Sequence, residues 1–296
     1  MTNRIDLPSV LLVDKPEGPT SHDVVQAVRR ALGVRRVGHT GTLDPFATGL
    51  LILCVGRATR LVEYFHSLSK TYSAVAVLGV STDTDDPTGK VTARSDGWKT
   101  LAREDIERAF GRLSGEQVQV PPAYSAKKVD GRRAYDSARA GESVSLAPQT
   151  VRIHRIIATG IELPEIGFEA EVSTGTYVRA LARDLGIELG CHAHLRSLRR
   201  TSIGPFSVCD AAQLSDVDGG ALPPGSRLSA ARALSWLPVR NLDPSEVEAV
   251  EHGRAIADAR GSSDMESPVA MVSGDRLVAV GRRSAGELRP EKVFHD

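Results

Sequence analysis

Residues 38–51 read GHTGTLDPFATGLL, three glycines, three threonines and a proline set around one acid, Asp44. Glycine and proline punctuate regular structure, so this stretch reads as a turn that allows close backbone approach by a bulky ligand. Apolar runs enclose it: SVLLVD (9–14) has the character of a short buried strand ended by Lys15-Pro16, and LLILCV (50–55) is a second run of the same kind. The fold must therefore hold a polar loop between two core elements, with Asp44 at its centre and few ways for that residue to be a mere helix cap. An aspartate, with a pKa of about 3.9, is ionised at neutral pH and can act as a nucleophile or base without a metal.

Strand and helix signals alternate along the rest of the chain. Thr20 and Asp23 form a capping-box pattern, and Val24, Val25, Val28 and Leu32 recur at helical spacing until Gly33. A helix is expected over 58–65, and TYSAVAVLG (71–79) alternates as a strand with Tyr72, Ala74, Ala76 and Leu78 on one face. STDTDDPTG (81–89) is an acidic turn, and a helix is expected near 103–113. Residues 119–141, rich in Lys, Arg and Pro, read as a mobile surface excursion. A strand through FEAEV (168–172) turns at Ser173 to Gly175 into a helix whose apolar stripe is Val178, Leu181, Ala182, Leu185 and Leu189. Arg179 sits in the first turn of that helix, where the dipole favours acids. The residues alone leave two readings of it open, a side chain snorkelling to solvent or one held there for function. Residues 210–235 look like a linker, and VAMV, SGDR, LVAV (269–280) like a hairpin in a small C-terminal unit.

Whole-chain charge excludes little, since Lys plus Arg and Asp plus Glu both number 37. Locally the balance is uneven: residues 24–60 carry six arginines against Asp44, and residues 119–141 carry five basic side chains against two acids. Residues 177–200 carry five arginines against Asp184 and Glu188. Brought together, these segments would make a phosphate-binding face; scattered, they are ordinary solvated surfaces. With 4% aromatic residues a stacking platform for single strands is disfavoured, and a folded nucleic acid read by shape suits the chain better. Three widely spaced cysteines, the absence of a signal-like amino terminus and the absence of a long apolar run give the expectation of a cytoplasmic protein with no membrane association.

Standard catalytic motifs fail against this sequence. Gly33 to Gly38 has the spacing of a phosphate-binding loop, but His39-Thr40 stands where Lys-Ser/Thr is required. Cys191, His192 and His194 suggest a metal, yet no fourth ligand lies nearby, and a structural role is expected for them.

The GHTGTLDPFATGLL segment resembles the active-site motif of the bacterial TruB family of tRNA pseudouridine synthases. KTYSAVAVLG (70–79), STDTDDPTG, QVPPAYSAKKVDGRRAY (119–135), STGTYVRALARDLG (173–186) and GCHAHLRSLRR (190–200) follow in the family's order, covering most of the first ~210 residues. The resemblance implies an α+β fold, a mixed and mainly antiparallel sheet flanked by helices, with a small β-rich C-terminal domain of PUA type. It places a catalytic domain over 1–225, with 119–141 as a thumb that closes on RNA, and an RNA-binding unit over 226–296. The implied reaction isomerises the T-loop uridine at tRNA position 55, with no cofactor, metal or ATP, in a monomer that needs no protein partner. Asp44 is then the essential carboxylate, Tyr72 stacks on the uracil, Arg179 pairs with Asp44, Asp86 supports Arg179, and Leu198 lines the base pocket. His39 fills the space vacated by the flipped base, and Lys127 and Lys128 contact phosphates. His192 and Pro122 depart from the common family pattern. A non-catalytic tRNA-binding or folding factor using the same surface is the alternative.

Overall fold

The computed structural model describes residues 9–124, 146–220, 222–258, 267–284 and 286–295, and the backbone of 128–129 and 132–133. Val10–Lys15 forms a strand buried along its whole length, as its apolar run requires. Thr20 then caps the helix Ser21–Leu32 in a complete capping box with Asp23, and Gly33 ends it in the left-handed conformation at φ 64°. Val24, Val25 and Val28 of this helix pack against Leu51, Leu53 and Val55 of the next long strand, Thr48–Val55.

These elements belong to an 11-stranded sheet. From one edge the path runs Ala212–Gln213, Val10–Lys15, Thr48–Val55, Ala193–Ile203, Lys70–Leu78, Glu165–Val172, Gln149–Glu162 and Gly115–Gln119. Two pairings are parallel and the rest antiparallel, so the sheet is mixed and mainly antiparallel, and the fold is the α+β class expected. On one face, Tyr72, Ala74, Ala76 and Leu78 lie in a core with the helices Arg103–Leu113 and Val178–Glu188. A second, five-stranded sheet is built from Val239–Asn241, Val269–Ser273, Arg276–Ser284, Glu287–Val293 and Ile256–Ala257, and includes the expected hairpin. Its Ala270, Val272, Leu277 and Val280 share a core with Val10, Leu12, Leu50 and Ile52 of the large sheet.

Two sequence expectations need correction here. Residues 210–235 are not a free linker: Ala212–Gln213 and Arg227–Leu228 pair with Val10–Lys15, and Val217, Ala233 and Leu234 are buried. Its Gly, Pro and Ser content makes turns, and the few apolar residues between them are what the core takes. The helix expected over 58–65 is a 3-10 turn, Gly56–Leu61, followed by one α-turn, Val62–Phe65. The other elements that the periodicities put forward fall in place, whereas the long strands Gln149–Glu162 and Ala193–Ile203 carry no expectation from the sequence.

The central strand crossing is unusually close. Thr48–Val55 meets Ala193–Ile203 through only two pairs, Arg199 with Thr48 and Arg200 with Gly49. A Cβ added at Gly49 would stand 2.3 Å from the Arg200 carbonyl oxygen, and φ is +105°, a conformation glycine adopts freely. Gly49→Ala is expected to destabilise the fold by about 2–4 kcal/mol, from backbone strain plus a clash that no rotamer relieves. Urea unfolding of the purified variant measures this.

Candidate active site

The Asp44 loop is tied down by its backbone. Ser21, the first residue of its helix, both accepts from Leu43 N–H at 2.8 Å and donates to the Leu43 carbonyl at 3.2 Å. The fully buried Lys15 donates from Nζ to the carbonyls of Pro16 and Pro19, each at 2.8 Å, and to that of Pro45 at 3.3 Å. From the other side Arg200, 1% exposed, donates through Nε to Leu50 O at 2.7 Å, through Nη2 to Gly41 O at 3.1 Å and through Nη1 to Thr42 O at 3.4 Å. Much of the glycine-rich loop lies outside a regular ladder, and two buried cations supply hydrogen bonds that fix it.

Arg179 meets this loop from the start of the Val178–Glu188 helix. It is 4% exposed, so the snorkelling reading does not hold. Its Nε lies 2.9 Å from Asp44 Oδ2 and its Nη1 lies 3.2 Å from Asp86 Oδ2. The remaining donors reach the Thr84 carbonyl at 2.9 Å and the Tyr124 carbonyl at 2.8 Å. Asp86 in turn accepts from Thr84 Oγ1 at 2.7 Å, Thr88 N–H at 2.9 Å and Thr88 Oγ1 at 2.6 Å. Two carboxylates against one guanidinium explain how a cation tolerates the positive end of a helix. Asp86 keeps only 6% of its side-chain surface, whereas the Asp44 side chain keeps 35% and faces a cavity.

That cavity, of about 410 Å³, brings Asp44, Tyr72, Arg179 and Leu198 to one place. Asp86 lines a separate cavity of about 520 Å³ with Tyr124 on the other flank of the Asp44 and Arg179 pair. His39 is not among the lining residues of the first cavity; it ends the short strand Val37–His39 immediately before Thr40, which is. Burial first, then Arg200, pushes the His39 imidazole below 6.5, so it is neutral at pH 7. Burial likewise raises the Asp44 carboxyl above the ordinary 3.8, and Asp86 adds to this while Arg179 pulls it back. The arginine offsets desolvation at Asp44 rather than overcoming it.

The expected thumb is partly visible. Its first residues are anchored rather than loose: Gln119 is 2% exposed and exchanges hydrogen bonds with Tyr177, accepting from its N–H at 2.8 Å and donating to its carbonyl at 3.2 Å. Pro121 and Pro122 are buried too. A polar glutamine is admitted to the core because both ends of its amide are satisfied. Lys128 is known by its backbone pairing with Arg133 alone, and Lys127 lies outside the described residues.

Local charge also resolves differently from the count. All five arginines of 177–200 are engaged internally: Arg183 with Asp85 and Asp184 at 3.0 Å, Arg199 with Asp14 at 2.6 Å, Arg196 with Glu165, and Arg179 and Arg200 as above. Arg179 and Arg200 build the site, whereas Arg196 and Arg199 keep 57% and 41% of their side-chain surface exposed within their pairs. In 24–60, Arg29 donates to Val37 O and Arg60 to Val293 O, and Arg57 to the His295 carbonyl, whereas Arg30, Arg35 and Arg36 are exposed. His194 Nδ1 meets the Val80 carbonyl at 2.9 Å, and Cys191 is buried. Among the described residues no helix is long and apolar enough to cross a membrane.

Sequence reasoning missed Lys15, Lys70 and Arg200. The signal for Lys70 was present, because alternation that buries Tyr72 and Ala74 also turns Lys70 inward.

A mainly antiparallel sheet crossed by an aspartate loop, with an arginine and a tyrosine in one cavity, defines the pseudouridine synthase fold. Two solved structures share it over 97% of this chain. One, described as an H/ACA RNP bound to a substrate RNA containing 2'-deoxyuridine, has a TM-score of 0.73 at 26% identity over 85% of that chain. The other, an archaeal box H/ACA sRNP Nop10-Cbf5 complex, has a TM-score of 0.72 at 25% identity over 86% of that chain. Residues 29–178 match the N-terminal domain of the TruB family pseudouridylate synthases, and 179–222 match the C-terminal domain described for tRNA pseudouridylate synthase B. The tRNA pseudouridine synthase B of Thermobifida fusca (strain YX) is 42% identical over 96% of this chain and 98% of its own length. That of Mycobacterium leprae (strain TN) is 46% identical over 97% of this chain and 91% of its own. The chain belongs to the TruB family, and it is a pseudouridine synthase, an isomerase.

Proposed function

We propose that this chain converts the T-loop uridine at position 55 of tRNA to pseudouridine, with Asp44 as the essential carboxylate. The observation that carries the reading is the single cavity uniting Asp44, Tyr72, Arg179 and Leu198, with Asp44 the one carboxylate lining it among the described residues. The names of the relatives, all tRNA pseudouridine synthase B, support tRNA as substrate. The target base leaves the stack, at a cost of about a few kcal/mol, and His39, next in sequence to the cavity-lining Thr40, is the residue that would fill the space left behind. Tyr72 packs on the flipped uracil and Leu198 closes its other side. Asp44 acts at the sugar as the N1–C1′ bond breaks, and Arg179, held by Asp86, sets its geometry. A cavity of about 410 Å³ suits one nucleoside. Residues 1–225 form the catalytic unit, with 119–141 closing over RNA and Lys127 and Lys128 on phosphates, while 226–296 form a PUA-like RNA-binding unit. The enzyme works as a cytoplasmic monomer.

Nucleotide-resolution mapping of pseudouridine in a treated tRNA transcript tests the position. Product at the T-loop uridine is expected, and none should form when that uridine is replaced by cytidine. Product at other uridines with the T-loop left unmodified would overturn the assignment.

A further inference from the structure

The face of the Lys70–Leu78 strand that carries Tyr72 also carries Lys70, since side chains two residues apart share a face at roughly 7 Å. In the neighbouring strand, register sets Arg200 directly opposite Tyr72 and Leu198 opposite Ala74. Lys70, Tyr72, Leu198 and Arg200 all line the cavity, so two cations share its wall with the tyrosine. Both lie deep, at 8% exposure for Lys70 and 1% for Arg200. Among the described residues neither has a carboxylate within ion-pair distance. Lys70 Nζ donates to the Leu68 carbonyl at 2.8 Å, and Arg200 meets only the carbonyls of Leu50, Gly41 and Thr42. Asp44, the carboxylate nearest in the site, is bonded to Arg179. Buried positive charge without a counter-charge is unfavourable in the free enzyme and is retained where a reaction brings negative charge to it.

We propose that Lys70 is a further catalytic residue, which stabilises the negative charge that the uracil ring takes as its bond to the sugar breaks, with Arg200 reinforcing the same field. This rests on the pseudouridine synthase reading above. When N1–C1′ cleaves, the bonding pair stays with N1 and spreads onto O2 and O4 of the ring, and C1′ is left electron-deficient beside Asp44. After the ring turns, C5 supplies the pair that joins C1′, the C5 proton leaves, and N1 regains a proton. Charge on the ring therefore appears only between the two covalent states, and a cation fixed at the ring edge favours the bond-breaking step over the bound substrate. The anion met by Lys70 is the ring and not a backbone phosphate, because a cavity-lining group only 8% exposed is reached by a flat base that enters the cavity and not by a diester left outside it.

Acid-base behaviour follows from the same placement. The charged or titratable groups facing Lys70 across the cavity are Asp44, His66, Tyr72, Tyr177, Arg179 and Arg200. Burial, and then Arg200, lowers the Lys70 ammonium to about 8. Lys70 is thus charged below about pH 8 and neutral above it, so the rate should fall as pH rises through that value.

Single-turnover conversion of saturating tRNA by the native chain, Lys70→Met and Lys70→Arg tests this. Lys70→Met should lose about 10²-fold or more in rate, with tRNA affinity and its salt dependence unchanged. Lys70→Arg should recover rate and lose the alkaline fall. On a transcript carrying 5-fluorouridine at the target, where fluorine makes the ring a better leaving group, Lys70→Met should lose less than on uridine. An unchanged rate in Lys70→Met overturns the proposal. So does weakened tRNA binding with a salt slope smaller by about one, which assigns Lys70 to a phosphate. Equal losses on both substrates, or an alkaline fall retained in Lys70→Arg, likewise reduce Lys70 to a structural role. If Lys70→Met fails to bind tRNA altogether, the Lys70→Arg profile decides. No conversion by the native chain would instead sink the underlying function.

Discussion

Asp44→Asn is expected to lower the single-turnover rate by at least about 10⁴-fold while tRNA binding stays within a fewfold of the native value. The amide keeps the volume and loses the charge and basicity that any route through the sugar needs. Binding survives because the fold around the residue does not depend on it: Arg179 keeps Asp86 and the carbonyls of Thr84 and Tyr124. Burial already raises the Asp44 carboxyl above 3.8, so ionising it costs the folded state, and the Asn variant should be no less stable than the native chain. The same shift fixes the acid side of the native pH profile. The working form is the ionised one, so activity is complete above the raised pKa and is lost as pH falls through it, sooner than for an ordinary aspartate. Rapid-quench conversion and a binding titration across pH measure all three.

Arg179→Met should reduce the rate by about 10²–10³-fold and destabilise the fold by roughly 3 kcal/mol. The stability loss arises at Asp86, 6% exposed on its side chain, which would be left buried without its cation. Its three remaining hydrogen bonds from Thr84 and Thr88 hold the loss to the low end. The rate loss arises at Asp44, which loses both its anchor and the charge that lowers its pKa. Its acid limb should therefore move to higher pH than in the native enzyme. Arg179→Lys should restore part of the stability and little of the rate, because one ammonium cannot span both carboxylates as the fork does. Kinetics beside thermal unfolding separate the two effects.

Much of this site was legible in the sequence, and for physical reasons. The glycine and threonine loop excluded regular structure around Asp44, and the period-two pattern of TYSAVAVLG turned Tyr72 inward. Arg179 stood out by breaking the helix-dipole preference, and the structure shows the two acids that compensate it. Arg200 was not legible, because an arginine in LRSLRR counts as one more surface charge until strand register shows it crossing Gly49. Charge counting misled for the same reason: a total of basic residues does not tell paired arginines from free ones, and those of 177–200 are committed to Asp14, Asp44, Asp85, Asp86, Asp184 and Glu165 or to carbonyls. The 210–235 stretch failed differently, since polar composition reports turns but not the few apolar residues that pin them.

The most direct test of the central claim is tritium release by the native chain from a tRNA transcript whose uridines carry tritium at C5. Joining C5 to C1′ expels that hydrogen, so an enzyme of this kind releases one tritium for each tRNA converted. Stoichiometric release, abolished in Asp44→Asn, is the predicted result. Tight binding of the transcript with no tritium released would contradict the account and make the protein a tRNA-binding factor that shares the fold without the chemistry.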